Sequence, residues 1–219
     1  MRDVEFIIID GSSTDLTNNY VQSLSLPTLT YICENDQGIY DAMNKGMLRA
    51  TGMYVLFMNS GDRFHDPYLF KEVVDILRND TPDIVYSDTM MVDKYYQPLG
   101  LRSKITTRKI PAELTWKSMW YGMLICHQSF IAKKKICEPY ILGNLSADID
   151  WQIKCLKLSN KIVRYNGLIA DYLEGGTSKQ RHWESLRDRF VVMRSHYGLI
   201  QALVAHIWFV IRKLIFYIR

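Results

Sequence analysis

The chain has 219 residues, of which 48% are hydrophobic and 23% are charged, and its formal net charge is +4. These values are ordinary for a globular protein that is long enough to bury a sizeable core. So small a net charge, without one long basic run, argues against a nucleic-acid-binding protein. The cysteines show neither CxxC pairing nor metal-ligand spacing, so we expect free thiols in a reducing compartment. They are Cys33, Cys126, Cys137 and Cys155.

The sequence predicts neither a signal peptide nor an ordinary transmembrane helix. At the N-terminus, MRDVEFIIIDGSSTD places a strand and an acidic turn where a signal peptide would have its cleavage site. No stretch contains about 18 or more uninterrupted apolar residues, which is the length that a spanning helix needs.

Apolar runs alternate with helical patterns over the first part of the chain. Predicted strands cover residues 4–10, 29–35, 54–58 and 82–88, and predicted helices lie within residues 36–51 and 66–79. Ser13 or Thr14 could cap a further helix after the first strand, and Pro67 suits a first helical turn. This alternation favours an α/β fold with a largely parallel sheet and helices on its faces.

Three of the predicted strands are followed by, or end in, an acidic residue: Asp10, Asp62 and Asp88. Ligands bind at the carboxyl edge of such sheets, so we expect these carboxylates along one edge. Mg²⁺ and Mn²⁺ combine one or two carboxylates with phosphate oxygens. Because neither GxxxxGK[ST] nor GxGxxG is present, a metal-mediated diphosphate site is the simpler hypothesis. The alternative for Asp62 is a turn or a helix cap.

The pattern is less regular after residue 89, where the sequence predicts an antiparallel excursion. His127 follows the apolar run GMLIC and is either a functional residue or a partly buried histidine with satisfied nitrogens. Asp148 and Asp150 open a predicted amphipathic helix, on which they point in different directions. One of them could face a cleft while the other caps the helix, or both could stabilise its N-terminus through the macrodipole.

Five motifs together resemble the inverting family 2 glycosyltransferases of the GT-A fold, in particular the bacterial enzymes that build surface and capsular polysaccharides. The motifs are VEFIIIDGSSTD, ENDQGIYDAMNKGMLRATGMYVLFMNSGD, CHQSF, SADIDW and ADYLEGGTS, in this order. Each is weak alone, and their order and spacing carry the resemblance. It implies a Rossmann-like, mostly parallel sheet with flanking helices in a GT-A domain over residues 1–178. A basic, helical tail would follow over residues 179–219.

The resemblance implies a donor site for a nucleotide-sugar, with a UDP-sugar as the first candidate. Asp10 would lie near the uracil or the ribose. SGD stands where the family has its DXD motif, so Asp62 would ligate a Mg²⁺ or Mn²⁺ ion on the diphosphate. Ser60 replaces the first acid of that motif and leaves a metal site with fewer carboxylate ligands. His127 and Gln128 would border the donor or the acceptor pocket.

The resemblance also implies a general base. Asp148 would take the proton from the acceptor hydroxyl as that oxygen attacks the anomeric carbon, and Asp150 is the alternative base. The acceptor would be a glycan or a lipid-linked saccharide. The metal would stabilise the departing diphosphate, and the single displacement would invert the anomeric configuration.

One departure from the family lies at the front of the match. The chain begins at what resembles the family's second strand, and the central first strand and its helix have no counterpart here. We therefore expect an exposed apolar edge and an incomplete donor pocket. Either Met1 is an internal methionine of a longer protein, or the chain is a truncated copy that has lost activity.

The C-terminal sequence GLIQALVAHIWFVIRKLIFYIR predicts an amphipathic helix whose polar residues fall within an arc of about 140°. These residues are Gln201, His206, Arg212, Lys213 and Arg219. A basic stripe of this kind suits an anionic membrane surface. We therefore expect a cytoplasmic protein that is peripheral on the inner face of the cytoplasmic membrane. The alternative is a helix that packs on its own domain or on another subunit.

Two functions of different class follow. The first is a metal-dependent, inverting glycosyltransferase of polysaccharide biosynthesis. The second is a truncated, non-catalytic glycosyltransferase-like protein or partner subunit. Asp62 and Asp148 favour the first, whereas the missing strand favours the second. A metal-dependent phosphohydrolase is a more distant alternative, because it would need a second cluster of acids or histidines.

Overall fold

The computed structural model describes residues 4–66, 68–175 and 181–218. The first part contains β1 (Phe6–Asp10), α1 (Thr17–Ser23), β2 (Leu29–Cys33), α2 (Ile39–Arg49), β3 (Tyr54–Val55), β4 (Arg63–Phe64), α3 (Leu69–Asn79) and β5 (Ile84–Val92). The second part contains β6 (Pro98–Leu101), α4 (Arg102–Ile105), β7 (Phe130–Lys133), α5 (Ala147–Leu158), β8 (Ile162–Leu173), α6 (His182–Tyr197) and α7 (Leu199–Ile218). Short 3₁₀ turns lie at Ser118–Tyr121, His127–Ser129 and Lys134–Ile136.

The α/β fold is confirmed, with a local difference at the first helix. α1 begins at Thr17, and neither Ser13 nor Thr14 caps it. The Asp15 carboxylate accepts a hydrogen bond from the Thr17 amide at 2.9 Å instead. The acidic side chain therefore satisfies one of the free amides at the start of this helix.

Two strand boundaries also differ from the prediction. β3 covers only Tyr54–Val55, since its antiparallel pairing with β7 ends there. β5 continues past Asp88 to Val92, because it pairs with both β6 and β8 along this part. Asp88 therefore lies inside a strand and not at its end. Pro67 lies outside the described residues.

The main sheet has the strand order β3–β7–β5–β8–β4, with β6 paired to β5. β5 and β8 run parallel, whereas β7 is antiparallel to both β3 and β5. β4 is antiparallel to β8, and β6 is antiparallel to β5. The sheet is thus mixed and not mostly parallel, because strands from the irregular second half are inserted between those of the first. The antiparallel excursion after residue 89 is confirmed as β6.

β1 and β2 form a separate parallel ribbon. Two cavities of about 360 and 700 Å³ lie between β1 and the segment that begins at Tyr54. Ile9 lines the smaller cavity together with α2, and Phe6 and Ile8 line the larger one together with α3. The expected apolar edge is present, because these β1 side chains are only partly buried, unlike those of a sheet covered on both faces.

The largest core cluster lies between the main sheet and α5. Trp151 of α5 is fully buried and stacks on Tyr140 with a centroid distance of 5.1 Å. Phe57 and Phe130 meet its ring edge-on at 5.5 and 5.7 Å. Removing such a side chain typically costs about 3–5 kcal/mol, so this cluster fixes α5 firmly against the sheet.

The two C-terminal helices pack against each other, and α7 also packs against the turn Ser118–Tyr121. Ala202 and Ala205 of α7 are fully buried in this contact. The His206 ring lies against Phe209 and a phenylalanine of α6. Part of the polar stripe of α7 therefore faces the protein. This agrees with the alternative that the helix packs on its own domain. Arg219 and the predicted domain boundary at residues 178/179 lie outside the described residues.

The opposite face of α7 is apolar and exposed. Its side chains include Leu199, Ile200, Leu203, Val204, Ile207, Val210, Ile211, Leu214, Ile215 and Ile218. The segment Leu199–Phe216 is long and apolar enough to cross a membrane, by length and composition alone. The prediction that the chain lacks such a helix is therefore wrong on these two criteria, because Arg212 and Lys213 interrupt the apolar run without lowering its average hydropathy enough.

Candidate active site

Asp62 lies in the turn between β3 and β4, and two elements hold its carboxylate. The Leu173 amide at the end of β8 donates to Oδ1 at 2.9 Å, and Gln128 Nε2 donates to Oδ2 at 2.5 Å. The Asp62 amide in turn donates to the carbonyl of Asn59 at 3.0 Å. The side chain is therefore fixed relative to both β8 and the turn that carries Gln128.

Burial raises the pKa of Asp62, and the hydrogen bonds from Leu173 and Gln128 oppose that shift only in part. The carboxylate thus carries a negative charge that the protein stabilises incompletely. Gly61 makes the turn possible, because its φ is +89° and a Cβ would lie 2.7 Å from a methyl carbon of Leu173. Such an incompletely compensated carboxylate is suited to interaction with a cation.

The 3₁₀ turn His127–Ser129 joins the Asp62 turn to the start of α5. The side-chain amide of Asn59 donates to Nε2 of His127 at 3.1 Å. The proton of this imidazole is therefore on Nδ1, which faces Oδ2 of Asp148 at 3.7 Å. Gln128 is also buried and reaches Asp62. Two consecutive side chains thus bring the Asp62 turn and Asp148 into one site.

Asp148 and Asp150 have different surroundings although both lie in the first turn of α5. The Asp148 side chain is 16% exposed, and its Oδ1 accepts a hydrogen bond from the next amide at 2.8 Å. Asp150 is buried and pairs with His196 Nε2 at 2.8 Å and with Lys154 Nζ at 3.1 Å. Asp150 therefore ties α5 to α6, whereas Asp148 keeps an accessible oxygen beside His127.

The position of α5 follows from its packing. Gln152 Nε2 donates to the carbonyl of Ile125 at 3.1 Å, just before the turn that carries His127. Trp151 anchors the same helical turn in the core. Asp148 lies one turn earlier on the helix, so the core contacts of α5 set its distance from His127.

The remaining predicted site residues have other partners. Asp10 is on the β1–β2 ribbon, where its carboxylate accepts hydrogen bonds from the Ser13 amide at 2.9 Å and the Tyr31 hydroxyl at 2.6 Å. Hydrogen bonds from Ser13 and Tyr31 lower the pKa of Asp10 to about 2. Ser60 is exposed and lines the smaller cavity beside the ribbon. Asp88 binds Ser103 Oγ at 2.5 Å. The three strand acids are thus engaged by three different sets of partners.

A family model described as Glycosyl transferase family 2 matches residues 1–140. The chain belongs to this family. The predicted family assignment is therefore confirmed, and the mixed α/β fold agrees with it.

Curated relatives of this chain come from mycobacteria. A PGL/p-HBAD biosynthesis glycosyltransferase of Mycobacterium bovis is 28% identical over 184 residues, which cover 80% of this chain and 67% of the relative. An uncharacterized glycosyltransferase of Mycobacterium tuberculosis is 35% identical over 79 residues, which cover 36% of this chain and 30% of that protein.

Among solved structures, TarS of S. aureus (residues 1–349) superposes with a TM-score of 0.66 at 17% sequence identity. The superposition covers 95% of this chain and 64% of the TarS chain, so this chain spans less than two thirds of that length. The complex of TarS with UDP-GlcNAc superposes with a TM-score of 0.64 at 15% identity, over 87% and 57% of the two chains. This similarity shows the GT-A fold.

The residues around Asp62 fit a Mg²⁺ or Mn²⁺ ion in a limited way. Among the described residues, no group of three or more His, Cys, Asp or Glu side chains could hold a metal by itself. Asp62 supplies one partly buried carboxylate whose charge is incompletely compensated. Mg²⁺ is commonly held by one or two carboxylates together with phosphates and water, so this donor set fits an ion that arrives with a diphosphate.

Three site residues were not predicted from the sequence. Asn59 orients His127, as described above. Tyr40 of α2 hydrogen-bonds the carbonyl of Leu145 at 3.3 Å, and burial together with the nearby Asp148 charge raises its pKa. Asp171 of β8 binds Arg63 Nε at 2.8 Å and the ring of a histidine at 2.6 Å, which holds β4 beside Asp62. Of these three residues, Asp171 could have been proposed from the sequence, because it is an acid within the motif ADYLEGG.

Proposed function

We propose that this protein transfers a sugar from a UDP-sugar to a hydroxyl of a glycan or lipid-linked saccharide, with inversion, in bacterial surface polysaccharide biosynthesis. One observation carries the proposal. His127 and Gln128, which are consecutive, link Asp148 to the turn of Asp62. A donor-binding carboxylate and a candidate base thereby share one site.

Asp148 would act as the general base. Its partly exposed carboxylate would accept the proton of the acceptor hydroxyl as that oxygen attacks the anomeric carbon. His127 would orient the Asp148 carboxylate through Nδ1–H, which faces Oδ2. The helix amide of Ile149 is bonded to the other oxygen, Oδ1. With one base on one side of the reacting carbon, a single displacement inverts the configuration.

Asp62 would hold the donor diphosphate through Mg²⁺ or Mn²⁺, which when bound would stabilise the charge of the departing diphosphate. Gln128 and the Leu173 amide would keep the Asp62 carboxylate oriented toward that ion. The solved TarS complexes with UDP-GlcNAc and with UDP support a uridine nucleotide as the first one to test.

We further propose that the exposed apolar face of α7 enters the surface of the cytoplasmic membrane. Leu203, Ile207, Val210 and Leu214 on this face are each about half exposed or more. An interfacial helix buries such a face at the boundary between head groups and acyl chains. A lipid-linked acceptor would then be presented to a protein already held at its surface.

Calorimetric titration with UDP and GDP, each with and without Mn²⁺, tests the donor site. We expect Mn²⁺-dependent UDP binding that is lost in Asp62→Ala. The matched control is Asp75→Ala, an exposed acid on α3, which is expected to bind UDP as the wild type does. Binding that is equal in both variants would refute the assignment of Asp62.

The second candidate is a non-catalytic protein with this fold. The cavities between β1 and the Tyr54 segment favour it, because they border Asn59 and Ser60 and leave the donor side of the sheet incompletely packed. Under this hypothesis the wild-type chain binds neither nucleotide, with or without Mn²⁺. The same titration therefore separates the two candidates.

A further inference from the structure

Two arginines from distant parts of the chain hold the same short segment. Arg102 of α4 donates from Nη1 to the Leu124 carbonyl at 2.5 Å and from Nη2 to the Met123 carbonyl at 2.8 Å. Arg212 of α7 donates from Nη1 to the Tyr121 carbonyl at 3.0 Å. Their guanidinium groups are thus both fixed against residues 121–124.

Two further arginines join this group. The Thr106 amide and hydroxyl both donate to the Arg102 carbonyl, and the Arg108 amide donates to the Thr106 hydroxyl at 3.1 Å. Arg108 is therefore held close to the end of α4. Arg189 comes from α6. The Nε atoms of Arg189 and Arg212 are buried, and neither has a hydrogen-bond partner among the described residues.

We call Arg102, Arg108, Arg189 and Arg212 the arginine cluster. Burial lowers the pKa of Arg108 well below its usual range, and repulsion from the other three members lowers it further. Within the described ranges, none of the four makes a salt bridge with a carboxylate. Arg102 is buried and the other three arginines are partly buried. Cations removed from water are normally paired, so a group of guanidinium charges without a salt-bridged carboxylate in the described ranges is unfavourable unless an anion joins it.

The cluster adjoins the site described above. The charge of Asp148 acts on Arg189, and Arg102 and Arg108 act on Tyr172, which also lies near Asp62. The charges of the cluster therefore act on groups at both the candidate base and the donor side of the site. On its outer side, Arg212 belongs to the helix whose other face is apolar and exposed.

We propose that the arginine cluster binds a phosphate or diphosphate group of a substrate. Guanidinium groups donate paired hydrogen bonds that match phosphate oxygens, and the unpartnered Nε atoms supply donors for them. Two sources have this chemistry: the diphosphate of the nucleotide-sugar and a phosphate that links the acceptor saccharide to its lipid. The choice between these sources rests on the proposed function, whereas the anion site itself does not.

Calorimetry of the full chain with inorganic pyrophosphate in excess EDTA tests the anion site, because no metal is then available to Asp62. We expect binding that weakens about tenfold in Arg108→Gln and in Arg189→Gln, the effect of losing a charge-assisted contact. Arg49→Gln, on the exposed face of α2, is the control and is expected to bind as the wild type does.

Absence of pyrophosphate binding in the wild type would overturn the proposal, and so would equal binding in all arginine variants. Thermal unfolding guards against a folding artefact. Since Arg108 is repelled by its neighbours, we expect Arg108→Gln to melt no lower than the wild type.

Two further titrations identify the source of the phosphate. Weaker binding of UDP with Mn²⁺ to Arg108→Gln would assign the cluster to the donor diphosphate. Unchanged UDP binding, together with lost binding to phosphatidylcholine vesicles that contain a polyprenyl phosphate, would assign it to the acceptor. Vesicles without that phosphate measure the contribution of the α7 face alone. If UDP fails to bind any variant, the proposed donor site fails, while the pyrophosphate result still decides the anion site.

Discussion

Exchanging each of the two acids of α5 separates the base from the scaffold. In Asp148→Asn, the amide oxygen can still accept the hydrogen bond from the Ile149 amide, and Nδ1 of His127 is 3.7 Å from the carboxylate oxygen that is replaced. We expect the free energy of unfolding to fall by about 1 kcal/mol or less. Losing the base should slow transfer by about 10²–10⁴, equivalent to about 3–5 kcal/mol of activation free energy.

Asp150→Asn should behave in the opposite way. The Asp150 carboxylate is 7% exposed and is held between His196 and Lys154. Removing one partner from a buried ionic group typically costs about 3–5 kcal/mol of stability. At temperatures where this variant stays folded, we expect its turnover to remain within about tenfold of the wild type, because its carboxylate faces α6.

Urea unfolding followed by circular dichroism measures the stability of both variants. Release of UDP, from the donor that calorimetry identifies, measures turnover. The reasoning would be refuted if Asp150→Asn lost turnover at wild-type stability while Asp148→Asn remained active. A large loss of stability in Asp148→Asn would mean that this acid is mainly a structural residue of the helix N-terminus.

Three further predictions concern stability and the donor site. Asp83 is buried, and two backbone amides and a lysine ammonium lower its pKa to about 2, so it contributes about 2 kcal/mol above pH 4 that is lost toward pH 2. Asp83→Asn should remove this contribution, so that the urea concentration at the midpoint of unfolding falls less steeply as the pH is lowered from 4 to 2. Gly46→Ala should raise stability by about 1 kcal/mol in thermal unfolding, because the new methyl group would meet Ile9 at an ordinary 3.5 Å inside α2. A lower melting temperature would contradict this. Gly61→Ala should instead destabilise the chain by about 1–3 kcal/mol and weaken UDP binding with Mn²⁺, because of its positive φ and the contact with Leu173. Unchanged UDP affinity would argue against the role of this turn.

Local patterns predicted most of the elements that carry the site. The strand at β1, the helix α2 and the helix that carries Asp148 all follow from periodicity and from their flanking turns. The pairing of the strands was harder to predict from the sequence. β7 lies between β3 and β5 although it comes much later in the chain, and single-sequence periodicity contains no information about such long-range order.

The site contacts were predictable only as far as sequence motifs reach. Asp62 and Asp148 could be proposed because they stand in recognisable motifs. The link between them depends on Asn59, whose amide orients His127 across 68 positions of the chain. Likewise, the sequence offered alternatives for Asp148 and Asp150, which the contacts of His196 and Lys154 distinguish structurally. Such distinctions arise from tertiary packing, which brings α6 against α5.

One continuous segment, residues 121–129, connects the C-terminal helix with the candidate site. Its first carbonyls anchor Arg212 and Arg102, and its last residues hold Asp62 and face Asp148. Any displacement of α7 would therefore act on backbone that continues directly into His127. If α7 lies on a membrane and the cluster holds a phosphate there, the acceptor end of the site and its base are positioned by the same segment. This connection gives a physical reason for the coexistence of an exposed apolar helix and a group of arginines that form no salt bridge with a described carboxylate beside the candidate site.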